Sequence, residues 1–131
     1  KMIKVWTNGC FDILHRGHIE LFKYAKGRGD KLIVGVDSDK KVRKDKGKDR
    51  PINSLDDRVE VLRSIKYVDE VWWFDSTEEL RDLVRINEPS IMIIGADWKG
   101  KDVIGQEYAG RVDFFDRVGD YSTTNILEKS K

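Results

Sequence analysis

The sequence has little cysteine or proline and no long apolar run. It contains 1 cysteine and 2 prolines among 131 residues, and its apolar runs are far shorter than the roughly 20 residues of a membrane span. A single cysteine excludes an intrachain disulfide, which favours a reducing, cytoplasmic setting without membrane attachment. Charge is abundant but balanced, with 25 basic and 24 acidic residues, so no global field attracts nucleic acid. We therefore expect a local anion site and no nucleic-acid partner.

Strand-like apolar runs alternate with amphipathic stretches along the whole chain. This alternation is typical of βαβ units, and the length suits one domain, residues 1–131. Strands are predicted at 3–7, 31–36, 68–74, 90–95 and 111–115, helices at 18–27, 54–65, 77–86 and 122–129, a short helix at 102–110, and a basic loop at 40–50. The predicted fold class is α/β, with an open, mostly parallel five-stranded sheet and helices on both faces. Ligands are expected at the carboxyl ends of its strands.

Two histidines follow the first predicted strand at close spacing. Residues 7–18 read TNGCFDILHRGH and contain the only histidines of the chain, His15 and His18, on either side of Gly17. If a helix begins near residue 16, both imidazoles lie at its start, where unpaired backbone N–H groups attract anions. Gly17 lacks a Cβ, so a phosphate can approach the backbone closely. A metal site is the weaker alternative, because one H-x-x-H pair and one cysteine do not complete a ligand set.

Other groups suited to phosphates are spread along the chain. Lys46 lies in the string KDKGKDRPI, and Arg117 precedes a hydroxyl-rich segment, Ser122-Thr123-Thr124, which opens the last predicted helix. Such a helix start can hold β- and γ-phosphates, although it can equally be only a helix cap. The lysine run can likewise be a solvated surface. The residues alone leave these alternatives open.

Several side chains near predicted strand ends have more than one possible role. Asp12 and Asp97 can hold Mg²⁺, orient a histidine or contact a ribose hydroxyl. Trp98 can stack on a base or pack in the core. Cys10 is interpreted as a small packing residue, because no base is assigned beside it.

Seven separated motifs resemble, in order, those of the HxGH nucleotidyltransferases, in the cytidylyltransferase family. They are GCFDILHRGH, GVDSD, KGKDRPI, DDRVEVL, YVDEV, GADWKGK and RVGDYSTTNI, and they extend over nearly the whole chain. The resemblance implies a Rossmann-like fold and the transfer of a nucleotidyl group from an NTP to a phosphorylated acceptor. It also implies Mg²⁺ or another divalent cation as cofactor, and histidines that stabilise the transition state without forming a covalent intermediate.

The resemblance also implies three groups of site residues. The catalytic group is His15, His18, Lys46 and Arg117. The nucleotide-binding group is Thr7, Asn8, Gly9, Cys10, Phe11, Gly17, Gly95, Asp97, Trp98, Tyr121, Ser122, Thr123 and Thr124. The acceptor-binding group is Asp12, Asp39, Arg50 and Arg58, and the metal ligands are left unassigned.

Two branches of the family share these motifs. GADWKGK and Arg117 resemble glycerol-3-phosphate cytidylyltransferase, which is typically a dimer, whereas KGKDRPIN, the VIG at 103–105 and STTNI resemble the heptose 1-phosphate adenylyltransferase domain. The main hypothesis is a homodimeric enzyme that joins CTP to a phosphorylated polyol such as glycerol 3-phosphate. The alternative is ATP with a sugar phosphate, giving ADP-heptose.

Two further hypotheses keep the fold but change the function. A non-catalytic nucleotide-binding module would retain the sheet and lose a triphosphate ligand. An adenylyltransferase for pantetheine phosphate or nicotinamide mononucleotide would share the H-x-G-H element, because a fold alone does not fix a function. His15, His18, Lys46 and Arg117 are all present, which favours an active enzyme.

Overall fold

Five strands form one parallel sheet in the order β3-β2-β1-β4-β5. The computed structural model describes residues 1–116 together with 126, 127 and 129. The strands are β1 Lys4–Gly9, β2 Lys31–Asp37, β3 Glu70–Phe74, β4 Ile91–Gly95 and β5 Arg111–Phe115. The predicted parallel α/β sheet is confirmed, because every recorded strand pair is parallel.

In the described residues up to 116, four α-helices connect the strands, and each begins at a side-chain cap. They are α1 Arg16–Gly27, α2 Asp39–Lys46, α3 Leu55–Arg63 and α4 Thr77–Asn87. Ser38, Ser54 and Ser76 cap the last three through hydroxyls that accept a backbone N–H three residues on. Among the described residues, no helix is long and apolar enough to cross a membrane.

Helix α2 corrects the prediction of a basic loop at 40–50. Ser38 Oγ accepts the Lys41 N–H at 3.2 Å, and Val42 is the residue that this short helix buries. Lys41 pairs with Asp45 one turn on, at 2.6 Å, which stabilises the exposed face. The serine cap was the missed signal, because a lysine-rich run with one buried residue lacks a clear apolar stripe.

The segments at 102–110 and 122–129 differ from expectation in different ways. The first contains only a 3-10 turn, Gln106–Tyr108, rather than a helix. Its start is fixed by Gly105 at φ 86°, where a Cβ would lie 2.8 Å from Val84 Cβ. The predicted helix at 122–129 falls mostly outside the described residues.

The core has one apolar cluster on each face of the sheet. Val5 belongs to the cluster with Phe22 of α1 and Leu62 of α3, whereas its neighbour Trp6 belongs to the cluster with Val84 of α4. This alternation along β1 is what a strand buried on both faces requires. The prediction of helices on both faces is therefore confirmed.

Strands β1 and β4 separate near their carboxyl ends. Pairing of β1 with β2 runs from Lys4 to Gly9, but pairing with β4 is recorded only at Val5 and Trp6. One residue further on, the Thr7 hydroxyl donates to the carbonyl of Ile93 at 2.7 Å. The crevice beyond this point is the topological switch of an open α/β sheet, where ligands bind in such folds.

Candidate active site

The two histidines begin helix α1 and cap it with their own rings. His15 is the N-cap, and its Nδ1 accepts the Gly17 N–H at 3.1 Å. Nδ1 of His18 accepts the backbone N–H of His15 at 3.2 Å, and the ring centroids lie 3.9 Å apart. Because each Nδ1 acts as an acceptor, each neutral ring carries its proton on Nε2. Helix capping therefore fixes the tautomer of both side chains.

His18 is held in its neutral form. Burial lowers its pKa from the ordinary 6.5 to about 4, and the charges of His15 and Lys46 act in the same direction. A neutral imidazole at physiological pH can donate from Nε2 to a phosphate oxygen but carries no formal charge. Because the charge of Lys46 acts on this ring, the end of α2 lies within electrostatic range of His18. The catalytic roles of His15, His18 and Lys46 stay predictions.

Cys10 is half-buried directly after β1. Burial raises the pKa of its thiol, and this effect outweighs the opposing charges of Lys46 and Arg58. A neutral thiol is a poor nucleophile. The packing role predicted for this cysteine stays a prediction.

Asp12 connects the histidine turn to the chain segment after α2. Its side chain is 0% exposed, and its carboxylate accepts the backbone N–H groups of Ile52 and Asn53, each at 2.8 Å. Arg50 Nε adds a third donor at 3.3 Å, and Asn53 Nδ2 donates back to the carbonyl of Asp12 at 2.7 Å. Both carboxylate oxygens are therefore engaged by the protein, and Asp12 fixes the loop that begins after Lys46.

Arg58 is buried at the centre of the same network. It is 2% exposed, and its donors reach the carbonyls of Asn53 at 3.0 Å, Cys10 at 2.9 Å and Asp37 at 2.7 Å. Its Nη2 pairs with Asp39 at 2.7 Å. The predicted acceptor-binding role of these residues stays a prediction. For Arg58 and Asp12 the contacts describe a scaffold, because their polar atoms point at protein groups.

Apart from Gly17 in α1, the described members of the predicted nucleotide-binding group lie at two adjacent strand ends. Asn8 is held by the Trp6 indole N–H at 2.9 Å, and Gly9 lies against the Phe11 ring, where a Cβ would come within 3.1 Å of Cζ. Gly95 ends β4, and Asp97 and Trp98 follow it on the other side of the crevice; all three are exposed. Residues Arg117, Tyr121, Ser122, Thr123 and Thr124 lie outside the described residues, so their roles stay predictions.

Two members of the network were missed by the sequence analysis. Asn53 contacts both Asp12 and Arg58, and Asp37 offers its backbone carbonyl to Arg58. The string RPIN placed Asn53 beside Arg50, but nothing in the sequence shows a side-chain amide returning to a residue 41 positions earlier.

Metal binding has little support from the protein groups alone. Within residues 1–116 and the three described positions beyond them, no group of three or more His, Cys, Asp or Glu could hold an ion. Mg²⁺ often uses one or two carboxylates and completes its shell with substrate phosphates and water. Of the two candidate carboxylates, Asp97 is exposed, and Asp12 is buried and accepts backbone N–H groups with both oxygens.

Comparison with known proteins agrees with this geometry. The family model described as cytidylyltransferase-like matches residues 6–128. The crystal structure of the lipopolysaccharide core biosynthesis protein from Thermoplasma volcanium GSS1 superposes with a TM-score of 0.73 and 31% identity, covering 93% of this chain and 100% of that one. The sheet and its H-x-G-H turn are those of a nucleotidyltransferase. More narrowly, the chain belongs to the cytidylyltransferase-like family, as its motifs predicted.

Curated relatives extend the similarity over almost the whole chain. The chain is 46% identical over 127 residues to the bifunctional protein HldE of Campylobacter fetus subsp. fetus, covering 97% of this chain and 28% of that protein. The bifunctional protein HldE of a Nitratiruptor species is also 46% identical, with 97% and 27% covered. The chain therefore spans little more than a quarter of the length of these relatives.

Proposed function

We propose that the chain transfers an adenylyl group from ATP to a sugar phosphate, with heptose 1-phosphate as the acceptor. The observation that carries this choice is the 46% identity to relatives named HldE across 97% of the chain. The segment KGKDRPIN supports it, because it resembles the heptose 1-phosphate adenylyltransferase branch. The main hypothesis from the sequence, CTP with glycerol 3-phosphate, has less support than this alternative.

The proposed reaction is an in-line displacement at the α-phosphorus of ATP. An oxygen of the acceptor phosphate forms the new bond to this phosphorus, the bond to the pyrophosphate breaks, and pyrophosphate leaves with the bonding electron pair. Such a reaction needs positioning and charge neutralisation more than covalent chemistry by the protein. Nε2 of His18 is a preformed neutral donor for a phosphate oxygen, and the Lys46 ammonium adds positive charge nearby.

Arg50 is the residue best placed to receive the acceptor phosphate. Its Nε bonds to Asp12, but in the described part of the chain its Nη2 is buried and has no hydrogen-bond partner. A buried donor without a partner is costly, so such an atom is commonly satisfied by a ligand or water. A phosphate oxygen would satisfy it, and the ion pair with Asp12 would hold the guanidinium in place.

We propose that a divalent cation enters with the nucleotide rather than binding the free protein tightly. The triphosphate would supply most of its oxygen ligands, and Asp97 is the exposed carboxylate beside the crevice. When bound, the ion would neutralise charge on the leaving pyrophosphate. Magnesium titration of the activity, after exchange into EDTA, tests this, and a rate that does not respond to Mg²⁺ contradicts it.

A substrate panel tests the proposed function. Pyrophosphate release is measured with ATP, CTP, UTP and GTP, each with heptose 1-phosphate or glycerol 3-phosphate. We expect ATP with heptose 1-phosphate to exceed every other pair by at least about 100-fold, the discrimination that a site with specific polar contacts can reach. Faster pyrophosphate release from CTP with glycerol 3-phosphate would instead support the cytidylyltransferase hypothesis. Nucleotide binding without pyrophosphate release from any pair would indicate a non-catalytic module.

We also propose that the enzyme is a homodimer, a prediction taken from the resemblance to glycerol-3-phosphate cytidylyltransferase and independent of the choice of acceptor. Light scattering coupled to size-exclusion chromatography tests it, because a monomer of this chain has a mass of 15.2 kDa. A single monomeric peak at micromolar concentration would contradict the dimer without affecting the proposed reaction.

A further inference from the structure

The turn between β1 and α1 contains a backbone conformation that its side chain disfavours. Phe11 has φ 51°, in the left-handed region that bulky residues rarely adopt. Non-glycine residues persist there only when the surroundings over-determine them, and such residues cluster at functional sites. Phe11 lies between Cys10 and Asp12, both of which are held by groups from α3 and the loop before it.

The contact that acts directly on this turn comes from Arg58. Its Nη1 donates to the Cys10 carbonyl at 2.9 Å, and that carbonyl belongs to the peptide bond that leads into Phe11. The same Nη1 donates to the carbonyl of Asp37 at the end of β2, at 2.7 Å. One buried guanidinium therefore ties the ends of β1 and β2 to α3 and fixes the orientation of the Cys10–Phe11 peptide.

The Phe11 ring carries this constraint to the histidine turn. It is 6% exposed, and it meets the His18 ring edge-on, with centroids 5.4 Å apart and planes at 77°. On its other side it packs against Phe22 of α1, at 5.3 Å. Rotation of the Cys10–Phe11 peptide would displace this ring and remove one wall of the His18 environment.

We propose that Arg58 is a positioning residue, which holds the Cys10 carbonyl so that Phe11 stays in its left-handed conformation and its ring sets the place of the His18 imidazole. The proposal rests on the proposed function for its effect on catalysis, but its structural part does not depend on any substrate. Arg58 touches neither nucleotide nor acceptor in this mechanism. It acts on the reaction through Phe11.

The test combines kinetics with NMR of the imidazole groups. The chain has two histidines, so their ¹⁵N and ¹H ring signals are few, and a His18→Asn variant assigns them. Arg58→Lys keeps the positive charge but lacks the planar fork that reaches several carbonyls at once. We expect its kcat to fall about 10- to 100-fold, as small misplacements of catalytic groups do. The KM for ATP should change less than about threefold, and the His18 signals should move from one tautomer toward a mixture.

Two companion variants keep the test decisive. Phe11→Leu removes the aromatic edge while Arg58 still holds the turn, and we expect a smaller His18 shift in the same direction. Val84→Ala is the control for general loss of stability, because Val84 is 0% exposed but belongs to the cluster on the opposite face of the sheet. It should lower the melting temperature and leave both kcat and the His18 signals unchanged.

The role of Arg58 and the proposed enzymatic activity are tested by different measurements. A folded Arg58→Lys protein whose His18 signals match the wild type overturns the positioning role, whatever its activity. If Arg58→Lys does not fold, unchanged His18 signals in Phe11→Leu overturn it instead. Equal shifts in Val84→Ala overturn it as well, since the effect would then be general loosening. A wild-type protein without pyrophosphate release refutes the proposed function, and the NMR comparison still decides the role of Arg58.

Discussion

The turn after β1 and the turn after β4 lie at the same edge of the sheet but are built in opposite ways. In the first, Phe11 and Asp12 are 6% and 4% exposed, and side-chain donors of Asn53 and Arg58 hold the backbone carbonyls of Asp12 and Cys10. In the second, Trp98 is 49% exposed, and the 3-10 turn Ala96–Trp98 has no side-chain cap. The groups assigned to phosphate chemistry are therefore preorganised, whereas the groups assigned to base recognition are left open.

Removal of a preorganised donor from the turn after β1 should have the largest effect on the reaction. His18→Ala should lower kcat by about 10² to 10³-fold, the usual cost of losing one transition-state donor. The free energy of unfolding should fall by only about 1 kcal/mol, because the ring also serves as a helix-cap acceptor. Pyrophosphate release and urea unfolding measure the two effects.

The matched control for His18→Ala is Lys23→Ala, an exposed change on the same helix. It should leave both quantities within error. Unchanged turnover in His18→Ala would remove this histidine from the mechanism.

A second change tests how much the stability of the turn between β1 and α1 depends on the Asp12 carboxylate. Asp12→Asn turns one acceptor oxygen into a donor that faces an N–H group, and Asp12 is fully buried. We expect a loss of about 3 kcal/mol in the free energy of unfolding, the cost of a broken buried pair. Urea denaturation measures it.

Asp49→Asn provides the comparison for Asp12→Asn, because Asp49 is exposed in the same loop. Its effect should stay within about 0.5 kcal/mol. Equal stability losses in the two variants would mean that the carboxylate of Asp12 does not hold the loop.

Acid should lower the free energy of unfolding over a defined pH range, because His18 is neutral in the folded protein. The pKa of His18 is about 4 in the folded chain and about 6.5 when unfolded, so the unfolded chain binds more protons between these values. Stability therefore falls as pH drops from about 6.5 to about 4, by about 2 kcal/mol at pH 5 from this residue alone. Urea unfolding of the wild type and His18→Gln at pH 7.5 and pH 5 isolates this contribution, since the carboxylates titrate in both. Parallel losses in the two proteins would contradict the lowered pKa.

The smallest expected effect comes from the open turn. Trp98→Ala should raise the KM for the nucleotide by about tenfold or less and leave kcat unchanged, because stacking on an aromatic ring contributes about 1 kcal/mol. Stability should not change measurably, since the ring is half-exposed. Tyr108→Ala, which removes another exposed aromatic outside the predicted site, is the control. A large loss of kcat in Trp98→Ala would show that this turn is also part of the preorganised machinery.

Local patterns in the sequence were sufficient to predict the sheet and the position of the histidine pair at its carboxyl edge. The strands are short apolar runs, and H-x-G-H lies where β1 gives way to α1, so both the fold class and the histidine pair follow from neighbouring residues. Helix α2 was missed because its only buried residue is Val42 and its start depends on one serine.

The buried network could not be predicted in the same way. Arg58 reaches a carbonyl 48 residues earlier in the chain, and Asp12 accepts N–H groups 40 and 41 residues later. The apolar periodicity of the sequence does not predict such contacts, because they depend on how three separate segments meet at the edge of the sheet. For the same reason the contacts of Arg58 and Asp12 with the protein were not predicted, and their predicted acceptor-binding role stays a prediction.

The paired imidazole rings that begin α1 also limit how the stability of this protein can be increased without loss of activity. At the start of α1, His15 and His18 each bond to a backbone N–H of the other's segment, as in a capping box. In most proteins Ser or Thr and Glu or Gln make these two bonds, so His15→Ser with His18→Glu would provide an ordinary S-x-x-E capping box. That double replacement would keep or raise the stability of the helix and discard both imidazoles. A search for more stable variants that does not also measure turnover would therefore be drawn toward inactive proteins at these two positions.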